Sequence, residues 1–207
     1  MSKIIQIASE EQQQAALETA SQIILSGGII AIPTDTVYGI AASAWNTAAI
    51  SRIYQIKERD TNKSIAVLLG DASQALLIAE NFSPKATSLA AKFWPGGLTI
   101  IVSKKSNLPP NISNNDKIGL RIPDHPFIRD LIRKTGPLAT TSANLSGHPA
   151  AKTVEEFQPI LGDQLDLIID GGTVKGSGIA STVVDCTLDP IKILREGAIS
   201  SEKIDAC

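Results

Sequence analysis

The sequence predicts an α/β fold, in which helices flank a twisted sheet of mixed parallel and antiparallel strands. Helical and strand patterns alternate along most of the 207 residues, as is typical of α/β proteins. The last third of the chain loses its helical patterns, which favours some antiparallel pairing there. No internal repeat or long linker interrupts the alternation. We therefore expect one domain over 1–207, with its core at about 9–197.

The first half of the chain carries clear signals for where helices begin and end. Ser9 and Gln12 form a capping-box pattern, which predicts a helix that runs to about Ser26 and ends at the glycine pair Gly27-Gly28. The further expected elements are a strand at 29–32, a helix from Asn46 or Thr47, a strand at 64–69, a helix from Asp71 to Ala79, a helix opened by Ser83-Pro84, and a strand at 98–102.

The second half continues the alternation with shorter elements. Thr153 and Glu156 form a second capping-box pattern, which predicts a short helix. The stretch Ser106 to Asp116 is polar and proline-rich, and its length suits a loop or lid rather than a domain linker. The other expected elements are strands at 118–122, 138–141, 165–169, 182–185 and 192–194, and a helix at 126–134.

Composition and charge exclude several classes of protein. The chain is 43% hydrophobic and 19% charged, so we expect a folded core, and a net charge of −2 gives no overall basic bias towards nucleic acid. Cys186 and Cys207 have no metal or redox spacing, which favours a reduced, cytoplasmic protein. His125 and His148 lack ligand spacing, so we expect no metal site. No apolar run approaches membrane-spanning length, and we expect no membrane partner.

The segment Pro33-Thr34-Asp35-Thr36-Val37-Tyr38-Gly39 is the most informative part of the chain. It follows a short apolar strand, and it places three small polar side chains where a strand ends and a loop begins. Ligands of open α/β sheets bind at such strand ends. A solvated turn is the alternative, because Thr and Asp are common turn residues.

Two further polar segments have functional and structural interpretations. Lys57, Arg59 and Lys63 place cations at a helix end, where they could hold a polyphosphate or merely complement the helix C-terminus. Thr140-Thr141-Ser142-Ala143-Asn144 follows a strand and could bind a polar ligand or form a turn. The glycines around Lys175, Gly171-Gly172 and Gly176-x-Gly178, lack the order of a Walker A loop.

These segments together resemble the YrdC-domain family, the threonylcarbamoyl-AMP synthases of tRNA modification, from about Gly27 to Gly197. The resemblance rests on several short motifs in a fixed order. They are Pro33 to Gly39, Ile56-Lys57-Glu58-Arg59, Trp94-Pro95-Gly96-Gly97-Leu98-Thr99, Arg121-Ile122-Pro123, Thr141-Ser142-Ala143-Asn144-Leu145-Ser146-Gly147, Ser181-Thr182-Val183-Val184-Asp185 and Arg195-Glu196-Gly197.

The resemblance implies an activity and a set of site residues. L-threonine, bicarbonate or CO2, and ATP would give threonylcarbamoyl-AMP and pyrophosphate, and partner proteins would pass the threonylcarbamoyl group to the adenosine next to the tRNA anticodon. Mg²⁺ would be held mainly by the phosphates. The residues implied are Lys57, Arg59, Ser142 and Asn144 for catalysis, Arg59, Lys63, Ser142, Asn144 and Arg195 for ATP, and Thr36, Arg121, Thr141 and Ser181 for threonine.

This chain departs from the family pattern at Asp60 and Ser64, where many relatives have proline, and at Leu68, where some have a histidine that touches threonine. The first two departures bear on loop rigidity, and the third bears on one threonine contact. A double-stranded RNA-binding module is the main alternative function, because the cationic cluster could contact phosphates. The mildly acidic chain argues against strong RNA binding. For Arg121, a structural ion pair to Asp124 or Asp130 is the alternative to a threonine contact.

Overall fold

The computed structural model describes residues 2–174 and 178–207, and it contains a ten-stranded sheet. The strands are β1 Lys3–Gln6, β2 Ile30–Ile32, β3 Gly39–Ser43, β4 Ala66–Leu68, β5 Leu98–Ser103, β6 Lys117–Arg121, β7 Leu138–Ser142, β8 Leu167–Asp170, β9 Thr182–Asp185 and β10 Lys192–Arg195. The helices are α1 Glu10–Leu25, α2 Thr47–Ile56, α3 Ala75–Ile78, α4 Pro84–Phe93, α5 Pro126–Thr135, α6 Val154–Leu161 and α7 Ser201–Asp205.

The sheet is mixed, as the alternating sequence pattern predicts. Its strand order is β1-β8-β2-β3-β7-β4-β6-β5-β9-β10. The pairs β1–β8, β2–β8, β4–β6 and β5–β9 are parallel. The pairs β2–β3, β3–β7, β4–β7, β5–β6 and β9–β10 are antiparallel. The antiparallel pair β9–β10 confirms the expectation for the last third of the chain.

Apolar side chains pack on both faces of the sheet. Along β2, Ala31 enters one core cluster, whereas Ile30 and Ile32 enter the other, because successive strand residues point to opposite faces. Helices α1 and α5 pack against each other in the second cluster. Helix α2 packs on β3 in the first cluster, where its residues Ile50 and Ile53 are fully buried.

The helix starts follow the capping signals closely, with one exception. The Ser9–Gln12 capping box is present, since Gln12 N donates to Ser9 Oγ at 3.2 Å and Ser9 N donates to Gln12 Oε1 at 3.1 Å. The prediction of a second capping box, at Thr153 and Glu156, is wrong. Thr153 precedes α6 without a side-chain capping bond, and Glu156 accepts from the backbone N–H of Lys152 at 2.7 Å rather than from that of Thr153.

Three elements have no counterpart among the sequence predictions: β1, β3 and α7. Strand β1 pairs with β8, and α7 buries Ile204 completely, so packed structure extends on both sides of 9–197. Strand β3 is rich in small residues and has weak β propensity of its own. The helix expected over 71–79 is a short 3₁₀ turn, Ala72–Gln74, followed by α3.

Candidate active site

A cavity of about 310 Å³ lies over one face of the sheet, where β4, β5, β6, β7 and β9 contribute residues to its wall. Most of the residues selected from the sequence line this cavity. They are Thr36, Arg59, Arg121, Thr141, Ser142, Ser181 and Arg195. Lys57, Lys63 and Asn144 are not among its lining residues.

The floor of the cavity consists of small residues on neighbouring strands. Gly119 of β6 lies beside Ala66 of β4 and Thr99 of β5, and a Cβ atom built at Gly119 would lie 2.9 Å from Thr99 Cγ2. Leu68, the residue at the third departure from the family pattern, also lines the cavity and is 4% exposed. Any larger side chain at Gly119 would therefore occupy space that a ligand could use.

The loop between β2 and β3 is buried rather than solvated. Thr34 Oγ1 donates to Val37 O at 2.7 Å and accepts from the backbone N–H of Thr36 at 3.2 Å, which tightens the turn. Tyr38 OH donates to Gly172 O at 2.7 Å and accepts from Gly171 N at 3.1 Å. Burial raises the pKa of Tyr38 to about 12, so it stays a neutral donor. The solvated-turn alternative is wrong for this segment.

Arg121, at the end of β6, is held on all three nitrogen atoms of its guanidinium group. Nε donates to Gly96 O at 2.9 Å, Nη1 to Thr36 Oγ1 at 2.9 Å and Nη2 to Asp35 Oδ1 at 2.6 Å. Burial lowers the pKa of Arg121, and the Asp35 carboxylate opposes this effect. Arg121 thus forms its ion pair with Asp35, and the alternative prediction of an ion pair with Asp124 or Asp130 is wrong.

Ser181 and Arg195 come together where β9 begins. Ser181 Oγ lies 2.7 Å from Thr99 Oγ1, and Arg195 donates from Nε and Nη2 to Ser181 O at 3.1 and 2.7 Å. The chain after Arg195 packs tightly here, because a Cβ atom at Gly197 would lie 2.1 Å from Ala180 O. This close approach explains why the sequence needs glycine two residues after the arginine.

Arg59 lies on the cavity wall, and the backbone of the following loop fixes its orientation. Nε donates to Lys63 O at 3.0 Å, and Nη2 donates to Ser64 O at 3.0 Å. Three of the five N–H groups of a guanidinium then remain for a ligand. Lys63 contributes its carbonyl to this arrangement, while its side chain is exposed outside the cavity.

Two of the family departures lie in this same loop, and both side chains are hydrogen bonded. Asp60 Oδ1 accepts from Asn62 N at 2.9 Å, which forms a local turn. Ser64 Oγ lies 2.8 Å from Ser113 Oγ. At the two positions where many relatives have proline, hydrogen bonds of the side chains therefore hold the loop, to Asn62 within the loop and to Ser113 outside it.

Lys57 is buried at 1% exposure, and its ammonium group is directed at backbone oxygens instead of the cavity. Nζ donates to Ser142 O at 2.5 Å, to Asn144 O and to Asn144 Oδ1 at 3.4 Å. Burial, with a contribution from Arg59, lowers the pKa of Lys57 to about 8. The backbone of the same loop also binds Lys57, since Ser146 N donates to Lys57 O at 2.9 Å. Lys57 thus ties the end of α2 to the loop after β7.

The amide of Asn144 is engaged within its own loop. Nδ2 donates to Leu145 O and to His148 O, both at 2.7 Å. The loop therefore presents Thr141 and Ser142 to the cavity, and Asn144 organises the turn behind them. Within the candidate glycine loop, Gly172 has a φ of +73°, whereas Lys175, Gly176 and Ser177 lie outside the described residues.

Sequence reasoning missed several residues that shape the site. Asp35 belongs to the highlighted segment, but its distant partner, Arg121, could not be read from it. Thr34 bonds to Val37 within the same segment. Thr99 was part of a motif without an assigned role. Adjacent polar residues at a strand end were the available signal, and only the fold identifies the distant partners, Arg121 for Asp35 and Ser181 for Thr99.

The described residues offer no protein metal site. Within 2–174 and 178–207, no group of three or more His, Cys, Asp and Glu residues could hold a metal ion. His125 precedes α5. Its Nδ1 atom is buried without a hydrogen-bond partner, and burial lowers the pKa of the His125 side chain.

Within residues 2–174 and 178–207, no helix combines the length and apolar character needed to cross a membrane.

Comparisons with known proteins agree with this arrangement. A Methanocaldococcus jannaschii relative, provisionally named as a threonylcarbamoyl-AMP synthase, is 40% identical over 207 residues, covering 99% of this chain and 98% of the relative. The Bacillus subtilis threonylcarbamoyl-AMP synthase is 38% identical over 190 residues, covering 90% of this chain and 55% of that protein.

A solved structure gives the same result for the fold. Pyrococcus abyssi Sua5 in complex with L-threonine superposes with a TM-score of 0.92 at 31% identity, covering 100% of this chain and 60% of that chain. The chain thus corresponds to little more than half of the longer relatives. The family profile for the Sua5/YciO/YrdC domain, described as "Telomere recombination", matches residues 22–197. On this match and these relatives, the chain belongs to the Sua5/YciO/YrdC family.

Proposed function

We propose that this protein synthesises L-threonylcarbamoyl-AMP from L-threonine, bicarbonate or CO2, and ATP, with release of pyrophosphate. The observation that carries the proposal is that Arg59, Arg121 and Arg195 line one cavity. Burial is the main cause that lowers the pKa of Arg195 and of Arg121, and a neighbouring arginine adds to it in each case, Arg59 for Arg195 and Arg195 for Arg121. Among their described contacts, only Arg121 has a carboxylate partner. Such a cavity favours a ligand with several negative charges.

The two substrates would use different parts of the cavity. The ATP phosphates are assigned to Arg59, Ser142 and Arg195, because guanidinium groups and hydroxyls donate well to phosphate oxygens. Lys63 and Asn144, which do not line the cavity here, would reach ATP only if their loops adjusted. The threonine end is assigned to Thr36, Arg121, Thr141 and Ser181, whose hydroxyls and guanidinium suit a hydroxy amino acid.

The reaction needs positioning and charge stabilisation more than covalent catalysis by the protein. The neutral amine of threonine takes up CO2 as a carbamate. A carbamate oxygen then attacks the α-phosphorus of ATP, and pyrophosphate leaves. Negative charge is concentrated on the phosphates in this step, so pre-oriented arginines lower its barrier. A Mg²⁺ ion would arrive on the phosphates of ATP, and we derive no step from a protein-held metal.

Lys57 contributes to this site through the loop that it anchors. Its contacts with Ser142 O and Asn144 O fix the backbone from which the Ser142 hydroxyl faces the cavity. Its assigned catalytic role is therefore best explained as positioning of this loop.

Selectivity for threonine would depend on hydroxyl partners such as Thr36 and on Leu68 beside the methyl group. A single methyl group is worth about 1–3 kcal/mol in discrimination, so serine should be a poor substrate rather than an excluded one.

The product would be used by partner proteins that transfer the threonylcarbamoyl group to the adenosine next to the tRNA anticodon. Weak RNA binding is compatible with a local cationic surface. A double-stranded RNA-binding module is the less favoured function, because the three arginines lie in a cavity rather than on a face that could follow a duplex.

The decisive experiment is to incubate the protein with ATP, L-threonine and bicarbonate and to detect threonylcarbamoyl-AMP by mass spectrometry. Pyrophosphate should appear in equal amount, and omission of any one substrate should abolish both products. Pyrophosphate release that does not require threonine would contradict the assignment, as would RNA binding without any adenylate product.

A further inference from the structure

A chain of hydroxyl groups connects the loop that carries Arg59 to the polar loop before β6. Ser64 Oγ lies 2.8 Å from Ser113 Oγ, and Ser113 Oγ donates to Asn115 Oδ1 at 3.1 Å. Because Ser113 gives its proton to Asn115, Ser64 must be the donor to Ser113. Asn115 Oδ1 also accepts from Lys117 N at 2.9 Å, so the chain ends on the first residue of β6.

The second loop is itself well anchored at Ser113. This residue is 1% exposed, and its carbonyl accepts from Lys104 Nζ at 2.6 Å. One residue earlier, Ile112 O accepts from Ile65 N at 2.9 Å. The hydroxyl of Ser64 therefore binds to a fixed point of the loop before β6. These bonds restrain Ser113, since its hydroxyl and its carbonyl would each lose a partner if it moved.

Ser64 links this fixed point directly to the cavity. Its carbonyl accepts from Arg59 Nη2 at 3.0 Å, while its hydroxyl reaches Ser113. The Arg59 guanidinium binds the carbonyls of Lys63 and Ser64, which belong to the two peptide groups that flank the Ser64 Cα atom. Its direction thus depends on the position of Ser64, which the hydroxyl chain holds. A cation that must meet a reacting phosphate needs such support, because small displacements cost much of its effect.

We propose that Ser64 and Ser113 are positioning residues that aim Arg59 at the polyphosphate of ATP. The inference rests on the proposed function, because it takes ATP as the ligand of Arg59. A second link between the same loops, from Asn114 Nδ2 to Asn62 Oδ1 at 3.0 Å, is exposed. Water can replace an exposed amide pair, so this link should contribute much less than the serine pair.

The test compares steady-state kinetics of the wild type, Ser64→Ala, Ser113→Ala and the double variant. Wild-type formation of threonylcarbamoyl-AMP is established first, and its absence would be a failure of the proposed function alone. For each single variant, kcat/KM for ATP should fall about two- to tenfold, as expected for one lost hydrogen bond, while the threonine KM stays unchanged. The double variant should lose no more than Ser113→Ala, because both changes break one chain.

Ser21→Ala is the matched control. Ser21 is also 1% exposed and donates to Leu17 O at 2.6 Å, but it lies on α1 away from the cavity. It should lower Tm and leave both KM values at their wild-type levels. If Ser113→Ala does not fold, the half-buried Ser64→Ala decides the question. An active wild type whose serine variants change only Tm, or raise both KM values equally, would overturn the inference.

Discussion

Arg121 and Asp35 form an ion pair inside the candidate active site, with Nη2 and Oδ1 2.6 Å apart. The pair joins the end of β6 to the loop after β2, two segments that are 86 positions apart in the chain. It neutralises one of the three arginines of the cavity and leaves Arg59 and Arg195 as the positive end. The site is thereby polarised, with the charge proposed to bind phosphate separated from the residue proposed to hold threonine.

Replacing Arg59 by alanine should strongly reduce the rate of pyrophosphate release. Arg59 lies on the cavity wall with part of its guanidinium free for a phosphate. Loss of one such charge-stabilising donor should cost about 2–4 kcal/mol of transition-state stabilisation. The measurement is kcat/KM for ATP, with circular dichroism to verify the fold.

Arg52→Ala is the control for this change. Arg52 is on α2, the helix that ends shortly before Arg59, and it pairs with Asp166 at 3.3 Å on the surface, where both side chains are at least 40% exposed. Its removal should change stability by less than about 1 kcal/mol and leave catalysis intact. Equal losses of activity in the two variants would mean that general charge, rather than the aim of Arg59, is responsible.

Lys57 should make stability depend on alkaline pH. Burial lowers its pKa in the folded protein to about 8 from a reference value of 10.5. Below pH 8 both states keep the proton. Between about pH 8 and 10.5 the unfolded chain holds more protons, so the free energy of unfolding should rise with pH. Relative to Lys57→Met, wild-type stability should increase on the order of 2 kcal/mol from pH 7 to pH 10.

Urea unfolding of both proteins at each pH measures this difference, since the other titrating groups are common to the two. The opposite sign would appear as a fall, with rising pH, of the free energy of unfolding of the wild type minus that of Lys57→Met. It would mean that the oxygens of Ser142 and Asn144 hold Lys57 in its charged form despite burial.

Enlarging Gly119 should block the cavity, and the side chain of Thr99 on the neighbouring strand must shift to admit the new Cβ atom. A Cβ atom there would lie 2.9 Å from Thr99 Cγ2 and 3.7 Å from Ala66 Cβ, on the floor. Gly119→Val should lower kcat/KM for both substrates by about tenfold to a hundredfold, because a displaced substrate loses its alignment. Gly119→Ala should lose less, and the ordering Gly, Ala, Val is the expected kinetic result. Full activity in the valine variant would place the substrates elsewhere.

Much of the fold could be predicted because its signals are local. The Ser9–Gln12 capping box, the Asn46 cap and the Ser83-Pro84 start all depend on residues within one helical turn, and each begins a helix in the structure. Strand β3 was missed because its residues Gly39 to Ser43 are small, and they form a strand only through pairing with β2 and β7. Tertiary contacts decide such cases.

The same distinction applies to the site. Motif order identified Arg59, Arg121 and Arg195, which do meet in one cavity. The sequence could not show that Lys57 is directed at the loop after β7, because that contact spans 85 positions. It also could not pair Arg121 with Asp35 rather than with the nearby Asp124 or Asp130. Sequence proximity favours local partners, whereas the fold brings the loop after β2 to the end of β6 and so selects a distant one.

Asp35→Asn should lower stability more than it affects catalysis. The change leaves Arg121 at 6% exposure without its counter-charge, although Gly96 O and Thr36 Oγ1 still hold two of its nitrogens. Loss of a hydrogen bond between charged groups should cost about 1–3 kcal/mol in the free energy of unfolding. The threonine KM should stay within about twofold of the wild type, because the guanidinium fork keeps its direction.

Arg121→Lys provides the complementary test, because lysine keeps the charge and loses the fork. A bidentate guanidinium would hold the threonine carboxylate and direct the carbamate at the α-phosphorus, which an ammonium group cannot reproduce. The threonine KM should rise about tenfold to a hundredfold, and the ATP KM should stay nearly unchanged. Stability should also fall, since the contacts with Gly96 O and Thr36 Oγ1 are weakened. Asp35→Asn separates the two effects, because it disturbs the ion pair and retains the fork. If Arg121→Lys loses stability while its threonine KM matches that of Asp35→Asn, Arg121 is structural and the threonine assignment fails.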